Sequence, residues 1–193
     1  TGQDVSEKQL STATDTIYNF VEYCNNQNFE KAYSMLTDEC KRQMYSSIEA
    51  FKQAYYNNVF NGQKKSCTIE NWVGDIYKVN IKEDILATGK DNGVAKQEYM
   101  TIKKVNGENK LNINNYIGYT EVNKTAEDSN IKMVVVGKNT YKDYETYTIK
   151  VTNKASNSIQ LDKVINSKTI YLEDDNKLKY YYYNHELTDA SLV

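Results

Sequence analysis

The sequence predicts an α+β chain in two parts: three helices packed on one face of a curved antiparallel sheet over residues 11–120, then a small all-β domain over residues 121–193. Three observations carry this expectation. Apolar residues recur at helical spacing only within the first sixty positions. From Lys64 onward they fall in short extended segments separated by turn residues. The two patterns follow one another without βαβ alternation, so the helices must cover one face of an antiparallel sheet rather than both faces of a parallel one. A chain of 193 residues holds two small domains comfortably.

The elements follow in order. Residues 14–25 carry an apolar face through Ile17, Phe20, Val21 and Cys24. The polar run Asn25, Asn26, Gln27, Asn28 interrupts it, and Phe29, Ala32, Tyr33, Leu36 and Cys40 resume the stripe, which predicts a helical hairpin. Ser46 with Glu49 three residues on reads as a capping box opening a third helix through Ile48, Phe51, Ala54, Tyr55 and Val59, closed by Asn61-Gly62. Strands are expected over 66–72, 75–88, 94–105 and 110–119, with hairpin turns at Asp91-Asn92-Gly93 and Asn106-Gly107. The polar stretch 121–130 marks the expected boundary. Beyond it, segments 131–136, 144–152, 158–161, 168–172 and 178–183, with turns at 153–157 and 174–176, give the rhythm of an immunoglobulin-like sandwich, although no closing strand is evident before Val193.

Composition narrows the function classes. The apolar share of 39% suffices for a core, and no run of about 18 apolar residues exists to span a bilayer. Net charge is −2 and evenly spread, with 14 basic against 15 acidic residues through Thr120 and 10 against 11 after it, so neither part offers the basic surface that nucleic acid requires. The chain has no Pro and 18 Tyr, a bias that together with heavy Asn and Lys usage fits an AT-rich genome. The polar lead Gln3 to Ser11 suits either a tether holding the domain off a lipid anchor or an ordinary frayed end. Cys24, Cys40 and Cys67 are odd in number and lack CxxC spacing, which speaks against zinc; core packing and a Cys24–Cys40 bridge between facing helices are the two readings.

The chain lacks GxSxG, HExxH, GxGxxG and a phosphate loop, and its single His185 has no nucleophile motif around it, so no catalytic residue, cofactor or metal is expected. Glu173-Asp174-Asp175 lacks the DxDxDG spacing of a calcium loop and reads as a turn. Tyr180, Tyr181, Tyr182 and Tyr183 alternate faces on one strand, so one pair is expected in a core and the other exposed as a recognition surface. Tyr55, Tyr56, Trp72, Tyr99 and Tyr116 are expected to gather inside the first domain, as core or as pocket lining, with Glu70 or Asp75 as the nearby acid. An isopeptide bond joining Lys132 or Lys150 to Asn153 or Asn184 lacks an assignable catalytic acid.

TIYNFVEYCNNQNFEKAYSMLTDECKRQM, SSIEAFKQAYYNNVF and TIKKVNGENKLNIN together resemble the nuclear transport factor 2-like superfamily over about 110 residues. YTIKVTNKASNSIQLDK and KTIYLEDDNKLKYYYYN resemble the immunoglobulin-like domains of secreted lipoproteins of Gram-positive bacteria. The first resemblance implies a cone of helices and curved sheet, a shape that serves as enzyme in some members and as binding or scaffold module in others. The expectation is therefore a non-catalytic protein anchored outside the cytoplasmic membrane by a lipid, meeting other envelope proteins or cell-wall components. The alternative is a small-molecule binder or enzyme that uses the cone pocket.

Overall fold

The structure, a computed structural model, describes residues 7–89, 96–161 and 171–181. It is an α+β protein with helices first and antiparallel sheets after them. Two compact units emerge: the chain through Thr120 together with Lys138–Thr146, and Glu121–Gly137 together with the residues from Tyr147 on.

In the first unit, α1 (Glu7–Asn25) turns the stripe Ala13, Ile17, Phe20, Val21, Cys24 fully inward. Its end is pinned to the sheet because the Asn25 amide donates to the Lys65 carbonyl and its oxygen accepts from the Lys65 N–H, both at 2.8 Å. The expected single helix through Cys40 is two: α2 (Phe29–Ser34) and α3 (Asp38–Met44). Thr37 separates them in an extended conformation, its hydroxyl accepting from the Cys40 N–H while its own N–H donates to Leu111. The Thr-Asp-Glu start of α3 is an N-cap followed by first-turn acids, a signal the apolar stripe concealed.

The next helix begins one residue later than the sequence suggests. Ser47, not Ser46, caps α4 (Ile48–Phe51) through the Ala50 N–H. A π-helical turn, Lys52–Tyr56, follows and passes into α5 (Asn57–Val59). The wider turn lets two adjacent residues face inward. Tyr55 stacks on Phe51 at 5.5 Å, and Tyr56 stacks on Phe60 at 5.5 Å. Asn61 and Gly62, both at positive φ, end the segment as expected.

Strands β1 (Lys65–Val73), β2 (Ile76–Glu83), β3 (Lys96–Val105) and β4 (Glu108–Asn112) pair in sequence as an antiparallel meander. Asn106 and Gly107 both take positive φ, which is what the two-residue β3–β4 hairpin demands. The expected turn at Asp91-Asn92-Gly93 lies outside the described residues. The strand expected to run to Thr88 stops at Glu83, since Asp84 caps a short helix, α6 (Ile85–Thr88), by accepting from Leu86 N–H. The strand expected over 110–119 is broken at Asn114 and Asn115, whose φ values of 57° and 67° redirect the chain.

The polar stretch 121–130, expected as the domain boundary, is strand as far as Glu127. β5 (Tyr116–Glu127), β6 (Ile131–Tyr141) and β7 (Glu145–Asn153) form a second sheet in that order, and the division between the units falls within each of the three. Because the sheet continues through 121–127, polarity there reports exposure on both strand faces rather than a break. Consequently residues 138–146, expected in the second domain, belong with the first unit. In the second unit, residues 158–161 form no strand, and β8 (Tyr171–Glu173) with β9 (Lys179–Tyr181) makes a separate antiparallel hairpin.

Candidate functional site

Two clusters merit attention, one in each unit. The first is a buried acid that sequence reasoning missed. On β3, alternation places Glu98 on the same face as Met100 and Ile102, toward the helices, opposite the apolar Val79 of β2. Glu98 is 0% exposed. The Tyr55 hydroxyl, aimed inward by the π turn, donates to its Oε1 at 2.7 Å, whereas Oε2 completes no hydrogen bond. The Tyr45 hydroxyl, equally buried, completes none either, its ring lying 6.1 Å from that of Tyr55. The Lys96 ammonium sits over the Tyr55 ring at 5.5 Å. Burial pushes the Glu98 carboxyl up to about 7, against the opposing pull of the Tyr55 hydrogen bond, the Lys96 charge and the Asn114 backbone N–H.

An acid poised near neutrality beside a phenol has the makings of a proton donor and acceptor. Glu98 and Tyr55 nevertheless have no solvent-exposed surface, so a solute reaches them only after the unit opens. The signal was present in the sequence as a carboxylate in register with Met100 and Ile102. The acids first expected there lie elsewhere: Glu70 pairs with Lys78 at 3.5 Å on the surface, and Asp75 occupies the exposed β1–β2 turn. Burial also raises the Cys24 and Cys40 thiols, which are free and inert core groups, as is the buried Cys67.

The structure distributes the other expected pocket residues. Tyr99 is adjacent to Glu98 on β3 and therefore turns to the opposite face, where its ring meets half-exposed Trp72 edge-on at 4.8 Å. The Lys142 ammonium covers that same ring at 5.3 Å. Tyr116 packs on Tyr141 at 5.3 Å and donates its hydroxyl to Asn139. Tyr56 belongs to the helical layer with Phe29 and Phe60. Thus Tyr55 is joined to Glu98, Trp72 to Tyr99, and Tyr116 to Tyr141, as three separate groups.

The second cluster is the β8–β9 hairpin. Its register sets Tyr171 opposite Tyr181 and Leu172 opposite Tyr180. Tyr180 is 54% exposed and Tyr181 50%, so neither face of β9 is covered, where one had been expected in a core. Tyr171, at 41%, meets the Tyr181 ring at 5.7 Å, and the Lys179 ammonium lies 4.1 Å from the Tyr171 centroid. Leu178 adds a further exposed apolar group. The acidic run is a turn: Asp174 Oδ1 accepts from the N–H groups of Asn176 and Leu178, Oδ2 accepts from the Tyr180 hydroxyl at 3.1 Å, and Glu173 pairs with Lys177. Tyr182, Tyr183 and His185 lie outside the described residues.

Of the residues considered for an isopeptide bond, Lys132 is ion-paired with Glu127 at 3.6 Å, and the Asn153 amide closes its own turn by donating to the Asn157 carbonyl. Asn184 lies outside the described residues. Among the described residues, no group of three or more His, Cys, Asp or Glu could hold a metal ion, and no helix is long and apolar enough to cross a membrane. Comparison with protein-family models, with curated proteins and with solved structures returns no match.

Proposed function

We propose that this chain is a non-catalytic binding or scaffold protein of the Gram-positive cell surface, held there by a lipid anchor. In this reading the first unit is a cone of the nuclear transport factor 2-like kind, and the second is an immunoglobulin-like module that meets other envelope proteins or cell-wall components. The observation that carries the reading is the β8–β9 hairpin, where Tyr171, Leu178, Tyr180 and Tyr181 stand exposed together. Tyr offers large contact area with a polar tip and little rotamer entropy to lose, and such residues dominate binding energy at interfaces. Two of these rings are held by neighbours: Tyr171 between Tyr181 and Lys179, and Tyr180 by Asp174. A surface so ordered before contact gives up less entropy on binding.

One observation favours a second reading, in which the first unit binds or transforms a small molecule: the elevated, incompletely bonded Glu98 carboxylate beside Tyr55. Its complete burial weighs against that reading. The two separate experimentally. Tyr171→Ser combined with Tyr180→Ser should abolish retention on a Gram-positive envelope fraction while leaving the fold intact, and Glu98→Gln should leave retention unchanged. Retention lost in Glu98→Gln and kept in the tyrosine variant would overturn the surface reading in favour of the interior one.

A further inference from the structure

We propose that Glu98 is a proton-controlled latch: with its carboxyl protonated, the helical segment bearing Tyr55 stays closed on β3, and with it ionised that segment lifts so that water can reach the charge. The premise is geometric. The carboxyl has no exposed surface, a single side-chain hydrogen bond from Tyr55, and one oxygen that completes none. Among the described residues it forms no ion pair: the cationic side chain whose charge acts on it, Lys96, is on its own strand with its ammonium over the Tyr55 ring. The surrounding groups give an anion little support. Cys24 faces it from α1, Tyr45 and Cys40 from α3 and its end, Tyr55 from the π turn, and apolar Val79 from β2. Each of the titratable neighbours is itself held in its neutral form by burial, with the Glu98 charge adding to that effect. An uncompensated carboxylate in such a setting either takes up a proton or draws water in.

The segment that yields is identified by what holds each side. β3 is laddered to β2 at Glu98 itself, opposite Val79, and to β4 farther along, over residues 101–105, so moving Glu98 outward disrupts the backbone hydrogen bonds that hold β3 in its sheet. The helical segment over residues 48–59 is held to the sheet by side chains, and its middle is a π turn whose hydrogen bonding departs from the regular helix. Opening there leaves the backbone pairing of the sheet intact and exposes Glu98 directly. The raised affinity of Glu98 for its proton places the change near neutral pH.

The test uses the whole chain, with carbon-13 at the glutamate carboxyls and amide hydrogen exchange corrected for intrinsic rates. The Glu98 resonance should titrate well above the ordinary glutamate range. Amides of residues 53–60 should exchange faster by on the order of a hundredfold between pH 5 and pH 8, as proton linkage allows, and Glu98→Gln should remove that dependence. Tyr55→Phe deletes the side-chain donor to the carboxylate, leaving the Lys96 charge and the Asn114 backbone N–H, and should move the Glu98 midpoint higher. A midpoint near 4.5, equal pH dependence in wild type and Glu98→Gln, or an unmoved midpoint in Tyr55→Phe would overturn the latch. The carbon titration of the wild type decides even if Glu98→Gln fails to fold.

Discussion

The two units spend their aromatic residues in opposite ways. In the first, Phe20, Phe51, Tyr45, Tyr55 and Phe60 meet in one cluster with centroids 5.5 to 6.4 Å apart, over a sheet that contributes Val79, Met100 and Ile102 to the core alongside the buried Glu98. In the second, no described residue contributes a buried hydrophobic side chain, and the tyrosines of β8 and β9 face solvent. The same residue type is therefore packed in a core in one place and exposed in the other. What differs is not the side chain but whether a second layer covers the strand: β3 lies under helices, while both faces of β9 are open. Aromatic content alone says nothing about function, and the covering layer says a good deal.

The comparison can be broken first where the cohesion is concentrated. Phe51→Ala should cost about 3 to 5 kcal/mol, the range for a fully buried ring, because Phe20, Tyr33, Tyr45 and Tyr55 all pack on it. Denaturant unfolding measures this, and a loss under about 1 kcal/mol would show that the cluster is not the core.

Next in size is the pH dependence that the lone acid imposes. Glu98 holds its proton more tightly folded than unfolded, so its contribution to stability is fully present below the unfolded value of about 4.5 and declines as pH rises through about 7. The loss is on the order of 3 kcal/mol at mildly alkaline pH, if the full difference is expressed. Glu98→Gln should therefore unfold at higher denaturant than wild type at pH 8 and show no such gain at pH 4.5. An advantage that is the same at both pH values would mean that titration of Glu98 is not coupled to folding.

Cys24→Ala sharpens the contrast on a smaller scale. It removes one buried sulfur from the α1 stripe and should destabilise by about 1 to 2 kcal/mol. Native labelling of Cys24 or Cys40 should be slow, since both thiols are buried and protonated. Rapid labelling of either would place the stripe at the surface. Smallest of all, Tyr180→Ser in the second unit should leave the melting midpoint within about 2 °C of wild type, because the ring is more than half exposed and its one hydrogen bond, to Asp174, lies at the surface. A larger drop would mean that β9 packs against a layer after all.

Much of the first unit was legible because its periodicities are strong. The stripe of α1, the stop at Asn61-Gly62 and the Asn106-Gly107 hairpin follow directly from residue spacing and from the conformations Asn and Gly tolerate. Three features were not. The apolar run from Phe29 to Cys40 continued in phase across Thr37, so a cap was read as helix interior. The segment from Glu121 read as a boundary between strands rather than as strand because a strand exposed on both faces has the composition of a loop. Glu98 was passed over because an acid inside an apolar strand looks like an ordinary outward-facing polar position until the neighbours on its own face are counted. For the hairpin tyrosines, the strand was legible from alternation, whereas the absence of cover on either face depends on tertiary packing that alternation does not encode.

The most direct test of the central claim compares retention of wild type with that of the Tyr171→Ser, Tyr180→Ser, Tyr181→Ser triple variant on purified peptidoglycan and, separately, on a washed Gram-positive envelope fraction. Far-ultraviolet dichroism confirms that both proteins are folded. If the exposed hairpin is the contact surface, at least one of the two materials retains the wild type, and affinity for it falls at least tenfold in the variant, which is more than 1.4 kcal/mol of binding free energy. Equal retention of the two folded proteins on both materials would contradict the account.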